Sequence, residues 1–115
     1  MWQAARQFRR DIYTITKCFP NEERYALVNQ IRRAAYSITA NISEGHGRYS
    51  YQENTQFCRT SRGSINEVLD HLYTALDNEY IDEKSFQKLY QQGRALERML
   101  NGYISFLQKA ANKKK

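Results

Sequence analysis

The chain has 115 residues, of which 41% are hydrophobic, and 18 Lys and Arg against 12 Asp and Glu give a formal net charge of +6. This length predicts one domain, and the balance of apolar and charged residues excludes wholesale disorder. No apolar run approaches the roughly 18 residues that a membrane span needs, and no signal-peptide pattern precedes the first helix-like segment. We therefore expect a cytoplasmic protein without a membrane partner.

The first 45 residues carry apolar side chains at spacings of three and four, which predicts two amphipathic helices. The apolar face of the first helix would run from Trp2 to Phe19, where Pro20 would end it. Asn21 would then cap the second helix, whose apolar face would continue to Ile42. This helix would end at residues 45–47, Gly-His-Gly, with a glycine in the left-handed conformation.

Two further helices are predicted in the second half of the chain. Ser50 and Glu53 have capping-box spacing and indicate the start of the third helix, in which Gly63 would allow a neighbouring helix to approach closely. Asp82 would cap the fourth helix. The apolar stripe of the fourth helix would comprise Phe86, Leu89, Gly93, Leu96, Leu100, Tyr103 and Leu107.

Short connections force consecutive helices to run antiparallel. The sequence therefore predicts an all-α, up-down-up-down four-helix bundle over residues 1–110, followed by a basic C-terminal tail over residues 111–115.

Polar side chains fall on the inward faces of the second and third helices. Because inward polar groups need partners, we expect one hydrogen-bonded network that fixes helix register. Its members would be Asn41, Glu44, Arg62, Ser64 and Glu67. The alternative is a ligand or catalytic pocket inside the bundle.

Catalytic and metal-binding patterns are weak. His46 lies in a turn, His71 has only a loose spacing to Ser61 and Ser64, and no Glu-x-x-His pair suggests a di-iron site. Cys18 and Cys58 match no metal spacing, so two free thiols packed as small apolar side chains are expected. We expect no catalytic residues, no metal and no cofactor.

Arginines crowd the first helix beside Tyr13 and recur in the second helix, a combination suited to phosphate contact and base stacking. The candidate nucleic-acid contacts are Arg6, Arg9, Arg10, Arg33, Arg48, Lys113, Lys114 and Lys115. The alternatives are solvated or salt-bridged arginines, with Arg32 paired to Glu44 or Glu67, and a frayed, solvated tail.

The fourth helix has a second apolar stripe, formed by Ala95, Met99, Gly102 and Phe106. Together the two stripes are wider than one core requires, which indicates self-association. Met99, Tyr103 and Phe106 are the candidate interface residues, since Met and aromatic side chains are enriched at interfaces. The alternative is that the nine tyrosines only rim the bundle.

Residues 37–45, Ser-Ile-Thr-Ala-Asn-Ile-Ser-Glu-Gly, resemble a motif of the bacterial four-helix proteins encoded in intervening sequences of large-subunit ribosomal RNA genes. Further matches are Trp2-Gln3, Phe19-Pro20, residues 30–34, residues 62–64 and residues 99–102. Thr39 departs from the family pattern, which has Pro there, and this change should straighten the helix.

The resemblance implies an antiparallel bundle that assembles as a ring-like homopentamer. The family is similar in fold to the accessory variability determinant of diversity-generating retroelements, a basic pentamer that partners a reverse transcriptase and binds nucleic acid. No enzymatic activity is implied. We therefore expect a non-enzymatic homopentamer that binds nucleic acid through a basic surface, with RNA a better candidate ligand than DNA. The alternative is a protein-interaction adaptor, such as an accessory subunit of a reverse transcriptase.

Overall fold

The computed structural model describes residues 1–113 and contains four α-helices. These are α1 (Trp2–Thr16), α2 (Leu27–His46), α3 (Tyr51–Asp77) and α4 (Glu83–Lys113), with one 3-10 turn at Asn21–Glu23 between α1 and α2. No strand occurs among these residues, so the predicted all-α class is confirmed. Helix α4 continues to Lys113, beyond the expected start of the tail at residue 111, and Lys114 and Lys115 lie outside the described residues.

Side-chain hydrogen bonds between helices establish the antiparallel order. Arg9 of α1 donates to Thr39 of α2, whereas Arg32, earlier in α2, donates to Thr16, later in α1. Higher numbers on one helix thus meet lower numbers on the other. Consecutive helices pack together and α1 also packs on α4, which closes the predicted up-down-up-down bundle.

The core runs the length of the bundle between all four helices. Phe8, Ile38, Leu72 and Leu100 are fully buried and represent α1 to α4 in turn. The molecule measures 52 × 25 × 19 Å. Its long axis follows from α4, whose 31 residues span about 46 Å at 1.5 Å per residue. In the stripe of α4, Ile104 is buried where Tyr103 was expected, and Tyr103 is only partly buried.

The predicted caps of the two long helices are confirmed, whereas that of α2 is wrong. Ser50 Oγ accepts from the Glu53 amide at 3.0 Å, and Asp82 Oδ1 accepts from the Ser85 amide at 2.7 Å. Asn21 instead begins the 3-10 turn, and α2 starts six residues later at Leu27 without a side-chain cap. The Glu23 carboxylate accepts from the Leu27 amide at 3.4 Å, so one of the orphan donors of the first turn is satisfied from upstream.

Two glycines allow close helix approach, and neither is the predicted Gly63. A Cβ on Gly45 would lie 2.5 Å from Asn54 Oδ1, and one on Gly93 would lie 2.7 Å from Leu69 Cδ2. Gly63 is exposed, with nothing within 4 Å of its Cβ position. The predicted left-handed glycine is also wrong, because α2 continues through Gly45 to His46, and Gly47 has a right-handed φ of −80°.

Candidate nucleic-acid interface

The seam between α1 and α2 is held by two reciprocal arginine–threonine hydrogen bonds. Arg9 Nη1 donates to Thr39 Oγ1 and Arg32 Nε donates to Thr16 Oγ1, both at 2.9 Å. Both threonines are buried, and each hydroxyl also donates to a backbone carbonyl of its own helix. Each threonine hydroxyl therefore donates one hydrogen bond within its own helix and accepts one from an arginine of the other helix. Helix α2 runs without interruption through Thr39.

Arg32 makes two further contacts, both with Tyr13. Its Nη2 donates to the Tyr13 carbonyl at 3.3 Å, and its Cζ lies 4.9 Å from the centroid of the Tyr13 ring. This is the distance of a cation–π contact. The alternative that Arg32 pairs with Glu44 or Glu67 is therefore wrong: α1 supplies its partners, and the guanidinium keeps its charge unneutralised.

An open groove of about 620 Å³ lies beside this seam. It is lined by Tyr13, Asn29, Arg32, Arg33, Tyr36, Ser37 and Ala40. Tyr36 is 59% exposed, although it sits in the middle of a helix. Sequence reasoning did not select Asn29 or Tyr36. The available signal was an aromatic residue one turn from Arg32 and Arg33 on the polar face of an amphipathic helix.

The groove belongs to a larger surface, which we call the α1–α2 basic face. Arg6, Arg10 and Tyr13 follow each other at spacings of four and three, which aligns them along the outside of α1. A neighbouring depression, lined in part by Lys17, Arg24 and Arg32, continues the surface toward the connection between the helices. The cations of the face are Arg6, Arg9, Arg10, Lys17, Arg24, Arg32 and Arg33.

None of these seven cations forms an ion pair within residues 1–113. Two carboxylates close by in sequence face other partners instead. Asp11 accepts from Gln92 of α4 at 3.0 Å and from Gln7 at 2.9 Å. Glu23 accepts from the Tyr80 hydroxyl at 2.8 Å, which raises the pKa of Tyr80. The basic face thus keeps its positive charge.

The other predicted nucleic-acid contacts lie elsewhere. Arg48 follows α2, forms an ion pair with Glu44, and places its Cζ 4.9 Å from the Phe57 ring centroid. Its charge is therefore compensated by a carboxylate one turn away. Lys113 is exposed at the end of α4, and the predicted Lys114 and Lys115 lie beyond the part of the chain that is described.

The predicted polar network does not form as one unit. Asn41 Nδ2 donates to the carbonyl and hydroxyl of Ser37 in its own helix, and Ser64 Oγ donates to the same hydroxyl at 2.8 Å. Arg62 turns to the opposite neighbour and donates to Asn101 of α4 at 2.8 Å. Among the predicted members, only Asn41 and Ser64 are linked between α2 and α3, through Ser37, within residues 1–113. Ser61, which was not a predicted member, also joins these helices, because its hydroxyl donates to the Ile38 carbonyl at 2.9 Å.

Neither acidic member of that network makes a side-chain hydrogen bond to another helix within residues 1–113. Glu44 pairs with Arg48, and Glu67 lies 3.6 Å from Nε2 of His71, a buried nitrogen that makes no hydrogen bond among the described residues. A partner one turn away costs less ordering than a long reach across helices, which accounts for the Glu44–Arg48 pair. Asn41, Glu44 and Arg62 are thus not assembled around a common pocket.

The α4 apolar strip, defined by Met99, Gly102 and Phe106, lies on the surface. Met99 is 44% and Phe106 is 59% exposed, and nothing lies within 4 Å of a Cβ built on Gly102. Tyr103 is more enclosed: its hydroxyl accepts from Asn54 Nδ2 at 3.0 Å, and its ring stacks on Phe106 with centroids 6.1 Å apart. Tyr103 thus supports the strip from the side of the core.

The ionisable side chains outside the basic face form no metal-binding cluster of His, Cys, Asp or Glu within residues 1–113. Hydrogen bonds from Arg94 lower the pKa of Tyr90, and Arg94 also donates to Glu97 at 2.7 Å. Burial raises the pKa of the Cys58 thiol, which donates to Asn54. Cys18 is exposed rather than packed as expected.

The fold and this surface define a small, all-α, antiparallel bundle with an unneutralised basic face. Residues 1–102 match the model of the family described as 23S rRNA-intervening sequence protein, and the chain belongs to this family. A solved structure from Bacteroides thetaiotaomicron, described as a protein with unknown function from the S23 ribosomal protein family, is similar in fold. It is 22% identical, with a TM-score of 0.83 over 90% of this chain and 96% of that chain.

No match was found among curated protein sequences. Neither matching description names a catalytic activity. Among the described helices, none combines the length and apolar content that crossing a membrane requires.

Proposed function

We propose that the protein is a non-enzymatic homo-oligomer that binds nucleic acid through the α1–α2 basic face. RNA is the first candidate ligand and DNA is the second. The observation that carries this proposal is the clustering of seven cations on that one face, where none of them forms an ion pair within residues 1–113. Cations without carboxylate partners are free to neutralise phosphates and release counterions, which is the main source of sequence-independent affinity for nucleic acid. The family description refers to 23S rRNA, so structured RNA is the first ligand to test.

Self-association through the α4 apolar strip would strengthen this binding. Met99 and Phe106 expose apolar surface that a second copy would cover. We propose a homopentamer, the assembly that the sequence resemblance implies. Five copies of a +6 chain would carry about +30, a field strong enough to steer an RNA toward the protein.

The proposal is tested by fluorescence anisotropy of structured RNA and of duplex DNA across a salt series. We expect affinity to fall steeply as salt rises. The triple variant Arg6→Ala, Arg10→Ala, Arg33→Ala should weaken binding and lower the salt slope by about one for each phosphate that is no longer neutralised.

The matched control replaces three exposed lysines of α4, Lys84, Lys88 and Lys109, and so changes the net charge equally. It should retain most of the slope. Absence of binding at low salt, or equal reductions in affinity in the two triple variants, would contradict the use of the α1–α2 face.

The second candidate function is a protein-interaction adaptor, for which a reverse transcriptase is the partner that the resemblance suggests. The α4 apolar strip favours it, because such a surface serves a partner protein as well as a second copy. Light scattering separates the two uses. If the wild type is oligomeric and Met99→Glu makes it monomeric, the strip mediates self-association. If the wild type is monomeric, the strip is available to bind a different protein.

A further inference from the structure

The two tyrosines of the α1–α2 groove are held differently. The Tyr13 ring has the Arg32 guanidinium over it, with Cζ at 4.9 Å from the centroid. The Tyr36 ring is 59% exposed and makes no ring or cation contact within residues 1–113. The Tyr13 ring is therefore already covered by a guanidinium, whereas the Tyr36 ring remains open to a ligand.

The open ring has hydrogen-bond donors beside it. Arg33 and Asn29 line the same groove and are exposed, and Arg33 forms no ion pair in the described chain. Arg32 is fixed by Thr16 and by the Tyr13 carbonyl, so its position costs no ordering when a ligand arrives. A flat apolar ring, a free guanidinium and a side-chain amide together offer a stacking surface, a phosphate contact and a contact for a base edge.

This combination favours a base that is not already paired. Within a duplex, each base is stacked between neighbours and does not expose its faces, whereas an unpaired base can stack on an aromatic side chain. The groove is also closed on one side by the Tyr13–Arg32 stack and is open at Tyr36.

We propose that the α1–α2 groove binds an unpaired nucleotide, with its base stacked on Tyr36 and its phosphate held by Arg33. This inference rests on the proposed function and narrows the ligand to a single-stranded or looped segment. The rest of the α1–α2 basic face contacts the flanking phosphate backbone, whether or not the bases there are paired.

The test uses the full-length protein and one RNA oligonucleotide that carries a 2-aminopurine, presented either single-stranded or within a blunt duplex. Affinity is measured by anisotropy, and stacking by quenching of the 2-aminopurine fluorescence. The variants are Tyr36→Ala and Tyr36→Phe. Tyr49→Ala, which removes a fully exposed tyrosine in the turn before α3, is the matched control. Circular dichroism melts establish that each variant is folded.

We expect Tyr36→Ala to weaken binding of the single strand about tenfold and to abolish the quenching, because one base–aromatic stack is removed. Its salt slope should not change, since no charge is removed. Tyr36→Phe keeps the ring and should retain affinity, and Tyr49→Ala should match the wild type. Affinity for the duplex should be the same in all four proteins.

Two results overturn the inference, and they are distinguishable. If the wild type binds both RNAs with a steep salt slope but Tyr36→Ala affects neither, or affects both equally, the basic face binds backbone alone and only the inference fails. If the wild type binds neither RNA at low salt, the proposed function fails together with it.

Discussion

The arginines between α1 and α2 and Arg94 of α4 are held by different kinds of acceptor. Within α4, Arg94 donates to the carboxylate of Glu97 and to the Tyr90 hydroxyl, so its charge is compensated beside it. In the α1–α2 half, Arg9 and Arg32 donate to neutral threonine hydroxyls. Hydroxyl acceptors orient a guanidinium without neutralising it. Arg9 and Arg32 are therefore fixed without losing their positive charge, whereas a carboxylate compensates that of Arg94. Arg62 of α3, which donates to the amide oxygen of Asn101 in α4, also has a neutral acceptor.

The largest effect should come from breaking the α1–α2 seam. The double variant Thr16→Val, Thr39→Val keeps side-chain shape but removes both acceptors of the reciprocal arginine bonds. We expect the free energy of unfolding to fall by about 2 kcal/mol, at roughly 1 kcal/mol for each hydrogen bond. Urea unfolding followed by circular dichroism measures it. The control is Thr14→Val, which removes an exposed hydroxyl of α1. If it lowers the free energy of unfolding equally, the arginine–threonine bonds do not stabilise the fold beyond the loss of a helix hydroxyl.

A smaller, stabilising effect is expected at the connection between α3 and α4. Glu79 has a φ of +61°, the only positive φ among the described non-glycine residues, whereas the α1–α2 connection has none. The amides of Glu79 and Tyr80 donate to the carbonyls of Leu76 and Ala75, a helix ending that usually places glycine at the left-handed position. Glu79→Gly should raise the free energy of unfolding by about 1 kcal/mol. An unchanged or lower urea midpoint would contradict this.

The smallest effect is a difference in pH dependence between the two halves. The amide of Ser85 donates to the Asp82 carboxylate and lowers the pKa of Asp82. Because the folded pKa is below the unfolded one, this stabilisation is present above the unfolded pKa and is lost as pH falls through the folded pKa. The destabilisation caused by Asp82→Ala should therefore shrink on acidification.

The double threonine variant should be destabilised equally at neutral and at acidic pH, because neither arginine–threonine bond includes a carboxylate. Urea titrations at pH 7 and at progressively lower pH measure both variants. A threonine effect that disappears in acid would mean that a carboxylate takes part in the α1–α2 seam after all.

Helical periodicity and capping residues predicted the fold well, but they did not identify which helices approach closely. Ser50 and Asp82 act as caps because their acceptors need only the local chain to satisfy the first turn. The roles of Gly45 and Gly93 depend on which atoms of other helices arrive opposite them. Gly63 faces open space, because a mid-helix position alone does not determine whether another helix lies opposite a glycine.

The candidate site was predictable in part, for a related reason. Arginine enrichment pointed to α1 and to Arg33, which the fold places on one surface or in its groove. Arg48 stays a prediction outside the basic face, and its ion-pair partner Glu44, four residues earlier, is visible in the sequence. Tyr36 became a candidate because it is exposed in a groove shared with Tyr13 of another helix, and this arrangement requires the packing of α1 on α2.

The reciprocal arginine–threonine bonds also have a mechanical consequence. Arg9 of α1 donates to Thr39 of α2, and Arg32 of α2 donates to Thr16 of α1. Sliding one helix past the other by a turn, about 5.4 Å, would separate both donors from their acceptors at the same time. The pair therefore resists shear along the bundle axis, and pulling α1 by its N-terminus should load both bonds together rather than peel them one by one.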